Sequence, residues 1–410
     1  MSSFIRPGTD RDLPAVLRLG EVGFGHDYQR PDLLRSLRQR LELDRFWFAT
    51  DPTQTPAEIG MAGSYAFRVT LPGGSSVPAA GVAMVVVQAT HRRRGILRAL
   101  FTEQHRALVA EGRPVALLKA SEGGIYARFG YAPVGRERLV SIDRSRAVFR
   151  PDLPDPGGVR YVASDEARTH NPDVYRRWAA VTPGAVDRTD AWWDAVLEDT
   201  EHDRDGGSRR FHLLHPDGCA SYRISGGMGG GLNAIRTPPR VATVEEFFAA
   251  TDQAHLALWR VLLGLDLVDV VRTLRSPLDD PLPELLIDGR AVCTEAVQDA
   301  LWGRILDVPA ALGGRRYRME LDLVLEVSDG FLERGGRFRL RGGPDAACCE
   351  PTREPADLRT DIGSLTRLLF GSARATPLAR AGLLTAEPAV LAALDAGFGA
   401  DREAQHGTDF

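Results

Sequence analysis

Residues 82–98, VAMVVVQATHRRRGILR, constrain the fold more than any other stretch of the chain. The apolar start reads as a buried strand, the middle as a turn with four basic side chains and one glycine, and the end as an amphipathic helix. Strand, turn and helix in that order surround a small volume with backbone N–H groups and a helix N-terminus, which suits a diphosphate. The same strand end can present an N–H to a developing oxyanion. One element can thus hold a nucleotide-bearing acyl carrier and catalyse transfer from it.

At 410 residues the chain exceeds a single ordinary core, and at roughly 150 residues per domain it predicts two or three domains. Residues 1–150 alternate in a mixed α/β manner. Strands are expected at 4–6, 45–50, 59–70, 77–87, 115–120 and 136–142. Helices are expected at 31–43, 95–110 and 126–129, with an earlier one capped by Thr9 or Asp10, acidic in its first turn and carrying Val16 and Leu19. The run PDLPDPGG at 151–158 is a linker by composition. Residues 151–298 form a second α/β region, with helices near 173–181, 190–197 and 253–263 and strands near 210–215 and 221–225. Its glycine run at 226–231 lacks the Lys and Ser/Thr of a phosphate loop and reads as a turn. In residues 299–410, strands at 317–327, 336–341 and 358–360 precede helices at 362–369 and 387–396 and an extended polar tail.

A net charge of −4 gives no reason to bind nucleic acid or an anionic membrane. The longest apolar runs are far too short to span a bilayer, and MSSFIRPGTDRDLP lacks the apolar core of a signal peptide, so a cytoplasmic protein is expected. None of Cys219, Cys293, Cys348 and Cys349 makes a C-x-x-C pair; free thiols and no metal site are the reading. Lys119 is the only lysine.

Arg92-Arg93-Arg94-Gly95 after an apolar strand resembles the acyl-CoA signature of the GNAT N-acetyltransferases, Q/R-x-x-G-x-G/A. Arg92 and Gly95 match, and Leu97 stands where Gly or Ala is usual. The longer strings THRRRGILR and SEGGIYARFGY, with an aromatic chain end, resemble one branch, the Eis (enhanced intracellular survival) aminoglycoside acetyltransferases. The resemblance implies an α+β fold: two tandem GNAT-type mixed sheets with flanking helices, the second without a working cofactor loop, and a C-terminal α/β domain like a sterol carrier protein. It also implies a homohexamer that acetylates several amines of an aminoglycoside with acetyl-CoA as co-substrate.

In a GNAT sheet the strand holding Val85, Val86 and Val87 splays from the one ending near Ala120, and its main chain can pair with the pantetheine arm as if with another strand. Arg93, Arg94, Gly95, Ile96, Leu97 and Arg98 then offer N–H groups to the pyrophosphate, and the guanidinium groups of Arg92–Arg94 add charge-assisted contacts. Ser121 and Glu122 follow the second splayed strand, close to the same arm, while His91 is expected to face nucleotide or solvent. Tyr126, just past that strand, can protonate the CoA sulfur. The resemblance assigns the base to the chain's own terminal carboxylate, here on Phe410. An α-carboxyl has an ordinary pKa of about 3.5, which desolvation and neighbours such as Asp409 would raise. A polycationic acceptor calls for carboxylates and flat apolar walls; Asp27 and Asp409 are candidates for the first, Phe24, Trp47 and Met84 for the second. The motif describes the donor side only, so protein lysine or another cellular amine stays open as acceptor. An apolar-ligand carrier needs a pocket lined by Leu323, Leu325 and Leu340, positions that are more simply the inner face of a packed sheet.

Overall fold

A computed structural model describes residues 4–28, 30–227 and 238–410. Two compact units do not follow chain order: one combines residues 1–135, 183–187 and 300–410, the other 136–182 and 188–299.

The first unit begins with β1 (Phe4–Pro7), α1 (Leu13–Phe24), α2 (Pro31–Arg40), β2 (Trp47–Thr50), β3 (Glu58–Thr70) and β4 (Ser76–Val87). It continues with α3 (Ile96–Ala110), β5 (Val115–Leu118) and the short α4 (Gly123–Tyr126). Strands β1 to β4 are antiparallel neighbours, and β5 runs parallel to β4 after the α3 crossover. The β3–β4 hairpin closes at Pro72-Gly73-Gly74, where the Gly74 N–H meets the Leu71 carbonyl at 3.0 Å. One face of the sheet packs Ala49, Ile59, Val82 and Leu118 against Leu100 and Phe101 of α3. The other packs Phe48, Met61 and Val86 against Val16 and Leu19 of α1.

The cap of α1 differs from expectation. Asp12 stands at the cap position, but its carboxylate takes two bonds from Arg6 and one from the Thr9 N–H, and no acid follows in the first turn. Those partners, Arg6 first, hold its pKa down at about 2.

The strand Val292–Ile305 has no counterpart in the sequence reading, and the expected boundary near residue 299 falls inside it. Its first half is exposed and its second buried, so no single alternation runs through it. Trp302 and Ile305 pair with Leu118 and Val115, extending the sheet beyond β5. A separate five-stranded sheet runs in the order Ala347–Pro351, Gly336–Gly342, Leu321–Ser328, Leu358–Asp361 and Leu384–Ala386. Leu323 faces Leu340 across it, and both are buried with Leu325.

Arg304, on the strand beside β5, is completely buried. It makes bonds of 2.7 and 2.9 Å with both oxygens of Asp329 and another with the Phe129 carbonyl. Burial alone would raise the Asp329 carboxyl; the Arg304 bonds outweigh it and hold the group below its ordinary value. This pair fastens the turn after Leu321–Ser328 to the segment that follows α4.

In the second unit the strand order is Arg160–Val162, Phe211–His215, Gly218–Ser225, Val241–Ala249, Val270–Pro277 and then residues 136–143. Val241–Val244 run parallel to Val270–Thr273, joined by helix Asp252–Leu263, the same crossover as β4–α3–β5. The first helix, Ser164–Ala180, starts well before the expected position because Pro172 lies inside it rather than at its start. Packing of Ala167, Val174, Tyr175 and Trp178 overrides the local signal. Of the glycine run at 226–231, residues from 228 onward lie outside the described residues.

Asp329→Ala should leave Arg304 buried without its countercharge and cost about 3–5 kcal/mol in urea unfolding. A loss under ~1 kcal/mol would show that the pair is not structurally important.

Candidate active site

Strands β4 and β5 pair only over Ala79↔Val115, Ala80↔Ala116 and Gly81↔Leu117. Beyond Gly81, β4 stays with β3 and leaves β5. A bulge accompanies the departure: Gly63 faces Ala83 and Met61 faces Val86, so Ala62 stands opposite both Met84 and Val85. Met84 takes a positive φ of 52° to accommodate it. Past the bulge, the Gln88 N–H bonds the Ile59 carbonyl at 2.9 Å, so by antiparallel alternation the main-chain groups of Val87 point away from β3. The Arg92 Nε, at 3.4 Å, is the donor that approaches the Val87 carbonyl.

The turn into α3 has Arg93 at φ 63° and Gly95 at φ 79°. No side chain caps the helix, whose first bond runs from the Ala99 N–H to the Gly95 carbonyl at 3.0 Å. The amides of Ile96, Leu97 and Arg98 therefore have no intrahelical acceptor. A cavity of about 640 Å³ opens onto this helix end, lined by Val85, Val86, Val87, Arg92, Arg93, Gly95, Ile96, Leu97, Arg98, Glu122 and Tyr126. Main-chain donors, an uncapped helix and exposed arginines fit a diphosphate with an amide-bearing arm. Arg94 and Ser121 are exposed outside that lining, and the Arg94 Nη2 bonds the Thr90 carbonyl at 3.1 Å.

Gly23, Ile125, Arg128 and Phe129 also line the cavity and had not been singled out for it. Three of them, Ile125, Arg128 and Phe129, lie in the SEGGIYARFGY string, which was the available signal. His91, expected to face nucleotide or solvent, lines the cavity while buried: its Nδ1 meets the Thr90 hydroxyl at 2.8 Å and its Nε2 lies 3.6 Å from Asp51.

Tyr126 ends α4, nine-tenths buried. Its ring lies near-parallel to Phe101 and edge-on to Tyr131, with centroids 6.1 and 6.3 Å away. Burial, with the Glu122 charge second, raises its pKa, so the phenol stays protonated at neutral pH. Behind it, the His105 Nε2 lies 2.8 Å from the Tyr131 hydroxyl and its Nδ1 lies 2.8 Å from the Phe101 carbonyl. Burial drives the His105 pKa down to about 3, and the carbonyl requires Nδ1 to donate, so Nε2 accepts from Tyr131.

The C-terminal tail is held in place. The Gln405 N–H bonds the Pro183 carbonyl at 2.8 Å, and the Val186 N–H bonds the His406 carbonyl at 3.2 Å. Ala404, His406 and Thr408 are buried in alternation. The Phe410 ring lies 5.2 Å from that of Phe67 and over Gly81, where a Cβ would come within 3.0 Å of it. Asp409 is ion-paired to Lys119, a partner that sequence reasoning had not assigned.

Phe24 and Asp27 are exposed at and after the end of α1, and Met84 packs at the edge of the α1-side cluster. Trp47, the other cleft-wall candidate, is half-buried and packs against the α3-side cluster. In the second unit the corresponding crossover helix is closed to an anion: the Thr251 hydroxyl caps the Ala254 N–H at 3.2 Å, and Asp252 sits in its first turn. Among the described residues no helix is long and apolar enough to cross a membrane.

Residues 4–134 match an acetyltransferase (GNAT) domain family, residues 184–305 a second acetyltransferase (GNAT) domain family, and residues 308–405 the sterol carrier protein domain family. The chain is 39% identical to N-acetyltransferase Eis of Mycobacterium tuberculosis over 411 residues, covering 98% of each chain. It is 35% identical to an uncharacterized N-acetyltransferase of Streptomyces coelicolor, with 85% of each covered. The crystal structure of Eis1 from Mycobacterium abscessus superposes with a TM-score of 0.86 at 32% identity, over 99% of this chain and 100% of that one. A GCN5-related N-acetyltransferase from Anabaena variabilis, 19% identical, shares the fold at a TM-score of 0.83, with 100% of each chain covered.

Val87→Pro removes a donor that faces the cavity while leaving the β3 ladder intact. Calorimetry with coenzyme A should show roughly tenfold weaker binding at an unchanged melting temperature. Unaltered affinity would place the pantetheine arm elsewhere.

Proposed function

The chain belongs to the Eis family of GNAT N-acetyltransferases, and on that premise we propose that it acetylates one or several amines of aminoglycosides or similar polyamines. The observation that carries this reading is the parted β4 end, which leads directly into an uncapped helix with Tyr126 on the same cavity. Acetyl-CoA, when bound, supplies the acetyl group as an activated thioester. Main-chain groups of Val85 and Val87 hold the pantetheine arm; the amides of residues 96–98 hold the diphosphate, with Arg92–Arg94 adding charge.

Acyl transfer to an amine needs a neutral nucleophile, a stabilised oxyanion and a proton for the departing thiolate. A main-chain N–H of the parted strand serves the oxyanion. Tyr126 gives the proton, and burial keeps that proton on the phenol until it is needed. The Phe410 carboxylate accepts the proton of the attacking ammonium, directly or through water. Its ring, seated over Gly81 and beside Phe67, fixes the tail for this task. Asp27 and Asp409 receive the other ammonium groups of a polycationic acceptor, with Phe24 and Met84 as apolar walls.

Thiol release from acetyl-CoA with tobramycin or kanamycin, counted per acceptor, tests the acceptor class. More than one acetyl group per molecule is expected, and no turnover with any aminoglycoside alongside turnover with another amine would reject it. Tyr126→Phe should lower kcat by about 10²-fold or more with coenzyme A affinity retained. Residues appended after Phe410 should cripple turnover, and undiminished rates would remove the terminal carboxylate from the mechanism.

A further inference from the structure

We infer that Lys119 is a self-acetylation site: its side-chain amine takes an acetyl group from acetyl-CoA in the chain's own active site, and this frees Asp409 for a cationic acceptor. The inference rests on the acetyl-transfer reading above.

The chain carries 51 basic Lys and Arg residues, of which Lys119 alone is a lysine. Guanidinium groups stay protonated and do not serve as acyl acceptors beside a primary amine, which can lose its proton. Lys119 is therefore the only side chain of the acceptor's chemical class. It also lies where an acceptor would sit. β5 ends at Leu118, and its last pairing with β4 is Gly81↔Leu117, the point at which the strands part. Lys119 is the first residue past that strand end. Phe410 covers Gly81, and the Lys119 ammonium meets the Asp409 carboxylate, one residue before the chain end. Three residues beyond Lys119, Glu122 lines the cavity that holds Tyr126.

Lys119 and Asp409 are 35% and 47% exposed, so the amine is reachable and the contact is not locked in a core. In the step inferred, Asp409, the hydrogen-bond partner, carries one proton from the ammonium to water. The neutral Nζ then attacks the thioester carbonyl carbon. A C–N bond forms and the C–S bond breaks; Tyr126 protonates the thiolate and recovers its proton from the amide nitrogen through solvent. The products are N-acetyl-lysine, coenzyme A thiol and one released proton. Acetyl-lysine is neutral and no longer neutralises Asp409, so the carboxylate turns outward to ammonium groups of the acceptor. Lys119 in its charged form is thus an internal occupant of the position an acceptor cation would take.

The full chain, shown by mass to start unmodified, is incubated with acetyl-CoA and no acceptor. Intact-mass and peptide analysis should find one acetyl group on Lys119. Lys119→Arg should take up none at that position, and Tyr126→Phe should react roughly tenfold more slowly or worse. An enzyme that acetylates an added amine yet stays unmodified at Lys119 overturns the inference and leaves the parent reading standing. Equal labelling of Tyr126→Phe and of urea-unfolded chain overturns it too, since the reaction is then unassisted. A chain that neither binds coenzyme A nor acetylates any amine overturns both. Without acetyl-CoA, Lys119→Gln mimics the neutral product, and calorimetry should show tobramycin bound roughly two- to fivefold more tightly than by the unaltered chain. Equal or weaker binding rejects the release of Asp409.

Discussion

The site depends on two adjacent parallel strands parting company. Between parallel strands the ladder normally consumes every main-chain group it can reach, and a cavity there would strand them. In this chain the contact between β4 and β5 stops at Gly81↔Leu117, and the bulge at Met84 and Val85 turns β4 away while keeping it paired to β3. Main-chain groups that a continuous sheet would have used internally are thereby offered to a ligand. The positive φ of Met84 is the local strain that this geometry carries.

Two other features give that opening its chemistry. Gly95 lets the chain enter α3 at φ 79° with no side chain over the first amides, so the helix end remains an anion site. The second crossover helix has the opposite treatment, a threonine cap and an aspartate in its first turn, which disfavour an anion at the same point of the same topology. Meanwhile Arg304 grips the Phe129 carbonyl and Asp329, and Phe331, in the turn after Asp329, packs on Phe129 and on His105. The sterol-carrier-like region thus acts as a buttress for the aromatic group in which Tyr126 sits.

The donor side was legible in the sequence because it is local: an apolar run, an arginine turn and a helix within seventeen residues carry their own pattern, and Tyr126 follows in a short string. What escaped is set by contacts between distant residues or by exposure. No pattern announces that Met84 will bulge, since a positive φ outside glycine leaves no compositional mark. The strand Val292–Ile305 escaped because its exposed and buried halves do not share one alternation. His91 was placed in the turn, facing nucleotide or solvent, and its burial beside Asp51, forty positions earlier, had no local signal. The tail was expected at the active site, but the partners that hold it, residues 183–187, are ones the chain order places in another region. The Lys119–Asp409 contact joins residues 290 apart and has no local signature.

Hydrogen exchange across the parted strand and the start of α3, measured with and without coenzyme A, tests the central claim most directly. The account predicts that coenzyme A slows exchange of the amides at Val87 and at residues 96–98, while those starting helix Asp252–Leu263 do not change. Unchanged exchange over residues 85–98 at saturating coenzyme A, or protection confined to the second helix, would contradict it.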